Sequence, residues 1–167
     1  NMLRTVTFRI LLGLILAMSV LADNAVQSPT QPENSVFSFF QIQESDFDLG
    51  FKAFNKGDYE LAVFHYTKHL GKYPNDQNAY YNRGLAYNYL KKYQLAIADF
   101  TKTIQIDPQY WKAYSSRGYS YLVQQNYEPA IREFTTAIQI NPNDSISYQN
   151  RGLSYQALGR NNLAEAD

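Results

Sequence analysis

A motif that returns every 34 residues constrains this chain more than any other feature. Arg-Gly occurs at residues 83–84, 117–118 and 151–152, and Leu49-Gly50 lies one period earlier. Each Arg-Gly pair has a tyrosine four residues before its glycine and another three residues after it. An alanine follows each of the four glycines by twelve residues. So many positions in one register indicate a repeat protein whose neighbouring units stack to build a shared core.

Within one period the sequence predicts two helices. The spacing of four and three residues between tyrosine, glycine and tyrosine places these residues on one face of a first helix. Asp58 and Asn126 are predicted N-caps of second helices, and Pro129 fits a first turn, where its missing N–H has no intrahelical role. The second helices are predicted to begin at Tyr59, Tyr93 and Tyr127, and the prolines that close the units are Pro74, Pro108 and Pro142.

The glycine in the middle of each first helix requires a packing reason. Glycine in a helix costs about 1 kcal/mol relative to alanine, and we expect it to allow close approach of the second helix. The alanine of the second helix is expected opposite the glycine, and the aromatic residue four positions later is expected to fill the space towards neighbouring helices. The expected pairs are Gly84 with Ala96 and Gly118 with Ala130, and the space-filling residues are Phe100 and Phe134.

This pattern resembles the tetratricopeptide repeat, with Gly84, Ala96 and Pro108 at matching positions. The resemblance implies an all-α fold, a right-handed superhelical solenoid of antiparallel helix pairs. It covers residues 43–167 as three complete 34-residue repeats and a truncated fourth. The units are predicted at 43–76, 77–110, 111–144 and 145–167. Because the fourth unit stops before its aromatic position, we expect the chain to continue beyond Asp167.

The first 22 residues have the pattern of a secretory signal. Arg4 and Arg9 precede an uncharged run of 13 residues at 10–22, which ends in Val-Leu-Ala. As a helix this run spans about 20 Å, whereas a bilayer core is about 30 Å thick. An uncleaved membrane anchor and a core helix are the alternatives. Residues 23–42 are predicted to be a polar linker with a short apolar segment at 36–42, for which a partial cap on the first repeat is a further hypothesis.

Composition and motifs give no sign of catalysis. The chain has no cysteine, and 15 basic residues balance 15 acidic ones, which disfavours a general nucleic-acid binder. His65 and His69 share a helix face and could chelate a metal, but no carboxylate lies one turn away. In the repeat register His65 corresponds to Asp99 and Glu133, for which we expect solvent exposure. We therefore predict no catalytic residue, no metal and no cofactor.

Asn143-Asp144-Ser145 fits an N-glycosylation acceptor in a turn between units. The alternative is that Asp144 or Ser145 caps the helix that follows. The capping interpretation is the one we favour.

The resemblance also implies a function, because members of the family hold a peptide in a groove lined by their first helices. A partner protein or peptide is therefore expected. The predicted groove residues are Phe47, Phe51, Tyr81, Asn82, Asn88, Lys112 and Tyr119. A competing interpretation is that the apolar segment 36–42 covers Phe47 and Phe51.

A narrower comparison concerns acidic ligands. Family members that clamp the carboxylate tail of heat-shock chaperones use Lys and Asn on the first unit, Asn on the second, and Lys and Arg on the third. Asn82 and Lys112 match this pattern, but Phe47, Phe51 and Ser116 occupy the other three places. We therefore expect no carboxylate clamp and a mixed apolar and polar ligand.

The sequence thus predicts a non-catalytic scaffold or adaptor outside the cytoplasm, whether periplasmic, secreted or in a secretory lumen. One alternative is a structural array that associates with itself. Another is the docking arm of a larger enzyme whose catalytic domain lies beyond Asp167. Contact with a membrane is expected only through an uncleaved N-terminal segment, and no nucleic-acid partner is expected.

Export gives the first testable prediction. Because the apolar run ends in small or modest residues before Asp23, the mature chain should begin near Asp23. N-terminal sequencing of the exported protein checks this. Recovery of the protein only from the cytosol, with Met2 still attached, would contradict the prediction.

Overall fold

Helices follow one another in pairs along residues 44–165 and 167, the part of the chain that the computed structural model describes. The predicted signal at 1–22 and the linker at 23–42, with its apolar segment, lie outside this part. The helices form one unit, Glu44–Asp167. They are α1 (Asp46–Asn55), α2 (Tyr59–Lys72), α3 (Gln77–Tyr89), α4 (Tyr93–Ile106), α5 (Trp111–Val123), α6 (Tyr127–Ile140), α7 (Ser145–Ala157) and α8 (Asn161–Ala164).

The all-α solenoid of stacked helix pairs is confirmed. Each helix packs against the next, and the described residues contain no strand. None of the helices in this region has the length and apolar character needed to cross a membrane.

Most of the predicted helix boundaries are confirmed. The second helices α2, α4 and α6 begin at the three predicted tyrosines. Pro129 lies in the first turn of α6. The Asp58 side chain caps α2 by accepting the Leu61 N–H at 3.0 Å. Asn126 occupies the N-cap position of α6 but makes no capping hydrogen bond with its side chain, so its predicted role is wrong.

The turn between the two helices of a pair uses a left-handed backbone residue in every unit. This conformation costs roughly 1–2 kcal/mol for residues with a Cβ atom, yet two of the four units accept it without glycine. It lets the chain reverse, and the N–H of Lys92 then bonds to the carbonyl of Tyr87 at 2.8 Å. The left-handed residues are Gly57, Lys91, Gln125 and Gly159, with φ between 57° and 79°.

An aromatic ring of the second helix lies against the glycine of the first helix in each of the first three units. A Cβ atom at Gly118 would lie 2.8 Å from the ring of Phe134, which is fully buried. Gly84 and Phe100 repeat this contact, with a distance of 2.7 Å. The atoms nearest to such a Cβ therefore belong to the ring, or at Gly118 to the ring and Glu133. Ala96 and Ala130, the alanines expected opposite these glycines, are fully buried, and their pairing with the glycines stays a prediction.

The arginines that precede Gly84 and Gly118 each connect three helices. Arg83 donates Nε and Nη2 to the carboxyl oxygens of Asp99 at 2.7 and 2.8 Å. Its Nη1 donates to Thr67 Oγ1 at 3.0 Å. Because Thr67 belongs to the second helix of the preceding unit, one guanidinium joins two units. The same arrangement links Arg117 to Glu133 and Thr101, and Arg151 to Asp167 and Thr135.

These arginines overturn the prediction that Asp99 and Glu133 are solvated. Asp99 is only 5% exposed, and Glu133 is half-buried. A carboxylate tolerates burial when an opposite charge with good hydrogen-bond geometry accompanies it. Burial raises the pKa of the Asp99 carboxyl, although the ion pair with Arg83 acts in the opposite direction.

First helices of neighbouring units contact one another, whereas the second helices of the described region contact first helices only. Small, fully buried side chains at these contacts let the first helices approach closely. Because the first helices lie closer together, they form the inner, concave row of the unit. The small residues are Ala79, Ala86, Ala113, Ser120, Ser147 and Ser154.

The ring contact predicts opposite outcomes for two alanine substitutions. At Gly118 a new Cβ atom would press on a buried ring, whereas at Gly152 its nearest neighbour is the Ala164 carbonyl oxygen at 3.4 Å. Both variants gain about 1 kcal/mol in helix propensity, so that gain cancels between them. Gly118→Ala should be less stable than Gly152→Ala by about 1–3 kcal/mol in urea denaturation. Equal free energies of unfolding would contradict the ring contact.

The buried ion pair makes a second stability prediction. Asp99→Ala leaves Arg83 without its carboxylate and should cost about 3 kcal/mol or more. Glu128→Ala is the matched control, because it removes an exposed partner of Arg160, and it should cost less than about 1 kcal/mol. Thermal and urea unfolding of both variants measure this, and similar losses in the two would argue against the burial of the Asp99 pair.

Candidate functional site

A groove with a volume of about 500 Å³ lies along the inner row between α3, α5 and α7. It is open to solvent and spans the second, third and fourth units. All but one of its residues belong to first helices, and the exception, Asp144, immediately precedes α7. The lining residues are Tyr81, Leu85, Asn88, Tyr89, Trp111, Lys112, Ser115, Ser116, Tyr119, Asp144, Ile146 and Asn150.

Aromatic rings form much of the groove wall. Tyr119 and Tyr89 are 45% and 60% exposed. Tyr89 stacks on Tyr59, with ring centroids 4.4 Å apart and planes 7° from parallel. Trp111 is half-buried, and the ammonium of Lys112 lies 5.6 Å from the centre of its ring. Stacking fixes the position of Tyr89, so at least one exposed ring is held in place before any ligand arrives.

Tyr81 belongs both to the groove and to the core. Its ring lies 5.8 Å from that of Phe100 and 5.1 Å from that of Tyr110. Burial raises the pKa of the Tyr81 hydroxyl, and the nearby charge of Asp144 raises it further. Tyr81 is therefore a rigid part of the site and stays protonated at neutral pH.

Polar side chains form the floor of the groove where two units meet. The Ser147 hydroxyl donates to Asp144 Oδ2 at 2.5 Å, and the Ser115 hydroxyl lies 2.9 Å from that of Ser147. Asp144 is 5% exposed. It stands at the N-cap position of α7 without accepting a backbone N–H, so its predicted capping hydrogen bond is absent.

A second polar contact orients an amide at the other end of the site. Ser120 Oγ donates to Asn88 Oδ1 at 2.8 Å, which joins the third unit to the second. Because the amide oxygen of Asn88 is engaged, its N–H₂ group is the end left for a ligand.

The structure brings four of the seven predicted site residues together in this groove and leaves three outside it. Phe47 is half-buried, with its ring 5.6 Å from Tyr66 and 5.4 Å from His69. Phe51 is 51% exposed on α1, and Asn82 is half-buried on α3. The four residues that line the groove are Tyr81, Asn88, Lys112 and Tyr119.

Sequence reasoning missed several groove residues that lie near the boundaries of units. Trp111 is the first residue of α5, and Asp144 immediately precedes α7. Tyr89 ends α3 and reaches the groove from there. The repeat frame could have found them, because residues at equivalent ends of successive first helices must lie side by side.

The two histidines bind different carboxyl groups. His69 Nε2 lies 2.8 Å from Asp76 Oδ2, and His65 Nδ1 lies 3.3 Å from Asp46 Oδ1. A hydrogen bond from Lys68 and one from His65 hold the pKa of Asp46 below its ordinary value, against the effect of burial. Among the residues described, no cluster of three or more histidine and acidic side chains could hold a metal ion.

Sequence comparison identifies the repeats directly. Two family models, both described as tetratricopeptide repeat, match the chain, one at residues 78–110 and 111–144 and the other at residues 133–166. These matches cover the three units that line the groove. A search of curated proteins finds no match.

Several solved structures are similar to the chain. The first TPR of Spaghetti (RPAP3), bound to the HSP90 peptide SRMEEVD, is 30% identical, with a TM-score of 0.67 over 68% of this chain and 90% of its own. MamA is 25% identical, with a TM-score of 0.72 over 80% and 78%. The TPR2B domain of yeast Sti1, in its pHsp70 complex, is 28% identical, with a TM-score of 0.61 over 69% and 94%.

Proposed function

Because the chain belongs to the tetratricopeptide repeat family, we propose that it is a non-catalytic adaptor that binds a peptide segment of a partner protein in the groove of its first helices. The observation that carries this proposal is the set of aromatic rings that face the groove. They are Tyr81, Tyr89, Trp111 and Tyr119.

Exposed rings on a rigid surface favour binding. Large aromatic side chains dominate interface energies when a partner buries them, and they are enriched at interfaces. Stacking on Tyr59 and packing against Phe100 already hold Tyr89 and Tyr81, so binding orders fewer groups. A groove volume of about 500 Å³ falls within the range of ligand sites. Two of the similar solved structures are complexes with chaperone ligands, which supports the same mode of use.

The proposed ligand is not an acidic chaperone tail. The peptide SRMEEVD carries three acidic side chains, whereas Lys112 alone is cationic among the described residues of the groove. Phe47, Phe51 and Ser116 stand where carboxylate-clamping relatives have polar or basic groups. The groove matches a segment with apolar side chains and hydrogen-bonding groups.

We also propose that the adaptor works outside the cytoplasm, in a periplasm, a secretory lumen or the extracellular medium. The signal-like pattern of residues 1–22 is the support for this location. Sequencing of the exported N-terminus, as described above, tests it independently of the groove.

Peptides selected from a random 12-residue library against the purified chain provide a test. The chain contains one tryptophan, Trp111, so its fluorescence reports occupation of the groove directly. Tyr119→Ala should raise the Kd of selected peptides at least about tenfold. The SRMEEVD peptide should bind more weakly than the selected peptides.

Tyr73→Ala is the matched control, because Tyr73 is 58% exposed and does not line the groove. It should leave the Kd unchanged. Circular dichroism and melting of both variants should resemble the parent. Selected peptides that bind the Tyr119 variant as tightly as the parent would place binding elsewhere, for instance on the outer surface that exposes Leu61, Phe64 and Leu95.

A further inference from the structure

We propose that the groove selects a partner segment that inserts a basic side chain, arginine or lysine, against the carboxyl group of Asp144. This inference rests on the proposed function and names the chemistry of its ligand. It follows from an incompletely satisfied acidic group at the floor of the site.

The carboxyl group of Asp144 is nearly buried, yet only half of it is bonded. Oδ2 accepts from Ser147 at 2.5 Å. Within residues 44–165 and 167, Oδ1 has no hydrogen-bond partner and no cation lies in ion-pair distance of it. Solvent reaches Oδ1, since among the described residues the buried side-chain atoms without a partner comprise only the Tyr66 hydroxyl. Because Asp144 lines the groove, a ligand can reach the free oxygen from solvent.

Asp76 shows what Asp144 lacks. Both residues occupy the last position of a repeat and the N-cap of the next first helix. Asp76 accepts two backbone N–H groups of α3 and contacts His69 Nε2 at 2.8 Å. In the third unit Ala137 stands at the position of His69 and offers no donor, and no backbone N–H caps onto Asp144. The same position that is internally satisfied in the first unit is therefore open to a ligand in the third.

The surroundings of Asp144 suit a cation with an apolar stem. Tyr81 lines the same groove as Asp144. A guanidinium or ammonium group that lies over an aromatic ring gains cation–π attraction. Leu85 and Ile146 offer apolar surface for neighbouring residues of the ligand.

Lys112 does not neutralise Asp144. Its ammonium lies over the ring of Trp111, and no salt bridge joins it to Asp144 within the described residues. Lys112 is exposed, so water and salt screen it, whereas the nearly buried acid is screened much less. Asp144 is therefore the stronger determinant of ligand charge.

Four capped peptides of the form Ac-Gly-Leu-X-Phe-Leu-Gly-NH₂, with X as Arg, Lys, Gln or Glu, isolate this effect. The caps remove terminal charges, and the absence of tryptophan from the peptides leaves Trp111 as the fluorophore. Titration of the full chain should give a Kd about tenfold lower for the Arg and Lys peptides than for the Gln peptide. The Glu peptide should bind weakest.

Asp144→Asn removes the charge and keeps an acceptor for Ser147, so the Arg and Gln peptides should then bind equally. Asp58→Asn is the matched control, because it removes the same charge from a helix N-cap outside the groove, where asparagine caps as well as aspartate. It should retain the tenfold preference.

The outcomes separate this inference from the proposed function. Equal affinity of the Arg and Gln peptides in the parent, or a preference that persists in Asp144→Asn, overturns the role of Asp144 while the groove remains a peptide site. A preference for the Glu peptide would assign ligand charge to Lys112 instead. If neither these peptides nor library-selected peptides bind in a manner that depends on Tyr119, the proposed function itself fails.

Discussion

The contact between an aromatic ring and a glycine sets the geometry on which the rest of the structure depends. In three successive units, a Cβ atom added to the glycine of the first helix would lie only 2.7 to 2.9 Å from the ring of the second helix. Only glycine permits this approach, so the crossing point of the two helices is fixed. Because three successive units repeat the same crossing, they stack in one register, and the first helices form a continuous inner row.

Close packing within the stack leaves the larger side chains of the first helices free for another role. Alanine and serine fill the contacts between neighbouring first helices. The aromatic ring that lies against the glycine fills the space between the two helices of one unit. The arginine bridges add a connection between units on the side of the second helices. The ring of Tyr119 on the inner face is therefore not needed for the core and can project into the groove without loss of packing.

Much of the fold could be predicted from the sequence because the repeat averages over weak local signals. The predicted helix starts at Tyr59, Tyr93 and Tyr127 were correct, since a tyrosine with an alanine three positions later recurs there in one frame. The contact of the glycine with the aromatic ring was not predicted, because spacing along one helix does not say which turn of another helix faces it. Asp99 was wrongly expected to be solvated. Its burial depends on an ion pair with Arg83, which lies sixteen residues away on a different helix, and the sequence pattern did not reveal this pair.

The lining of the groove follows from the sequence only in part, for a related reason. Tyr81, Asn88, Lys112 and Tyr119 line the groove and lie on the helix face that the period defines. Trp111 and Asp144 lie near the unit boundaries, where the helical period gives no direction. In this array the residues that repeat build the scaffold, and those that break the repeat give the groove its chemistry.

The repeat position of Asp144 illustrates this. Successive units carry Asp76, Tyr110 and Asp144 there, and each residue has a different set of partners. Asp76 is held by His69, and the Tyr110 hydroxyl donates to Asn78. In the third unit Ala137 stands at the position of His69, and among these three residues it is Asp144 whose Oδ1 is left open towards the groove.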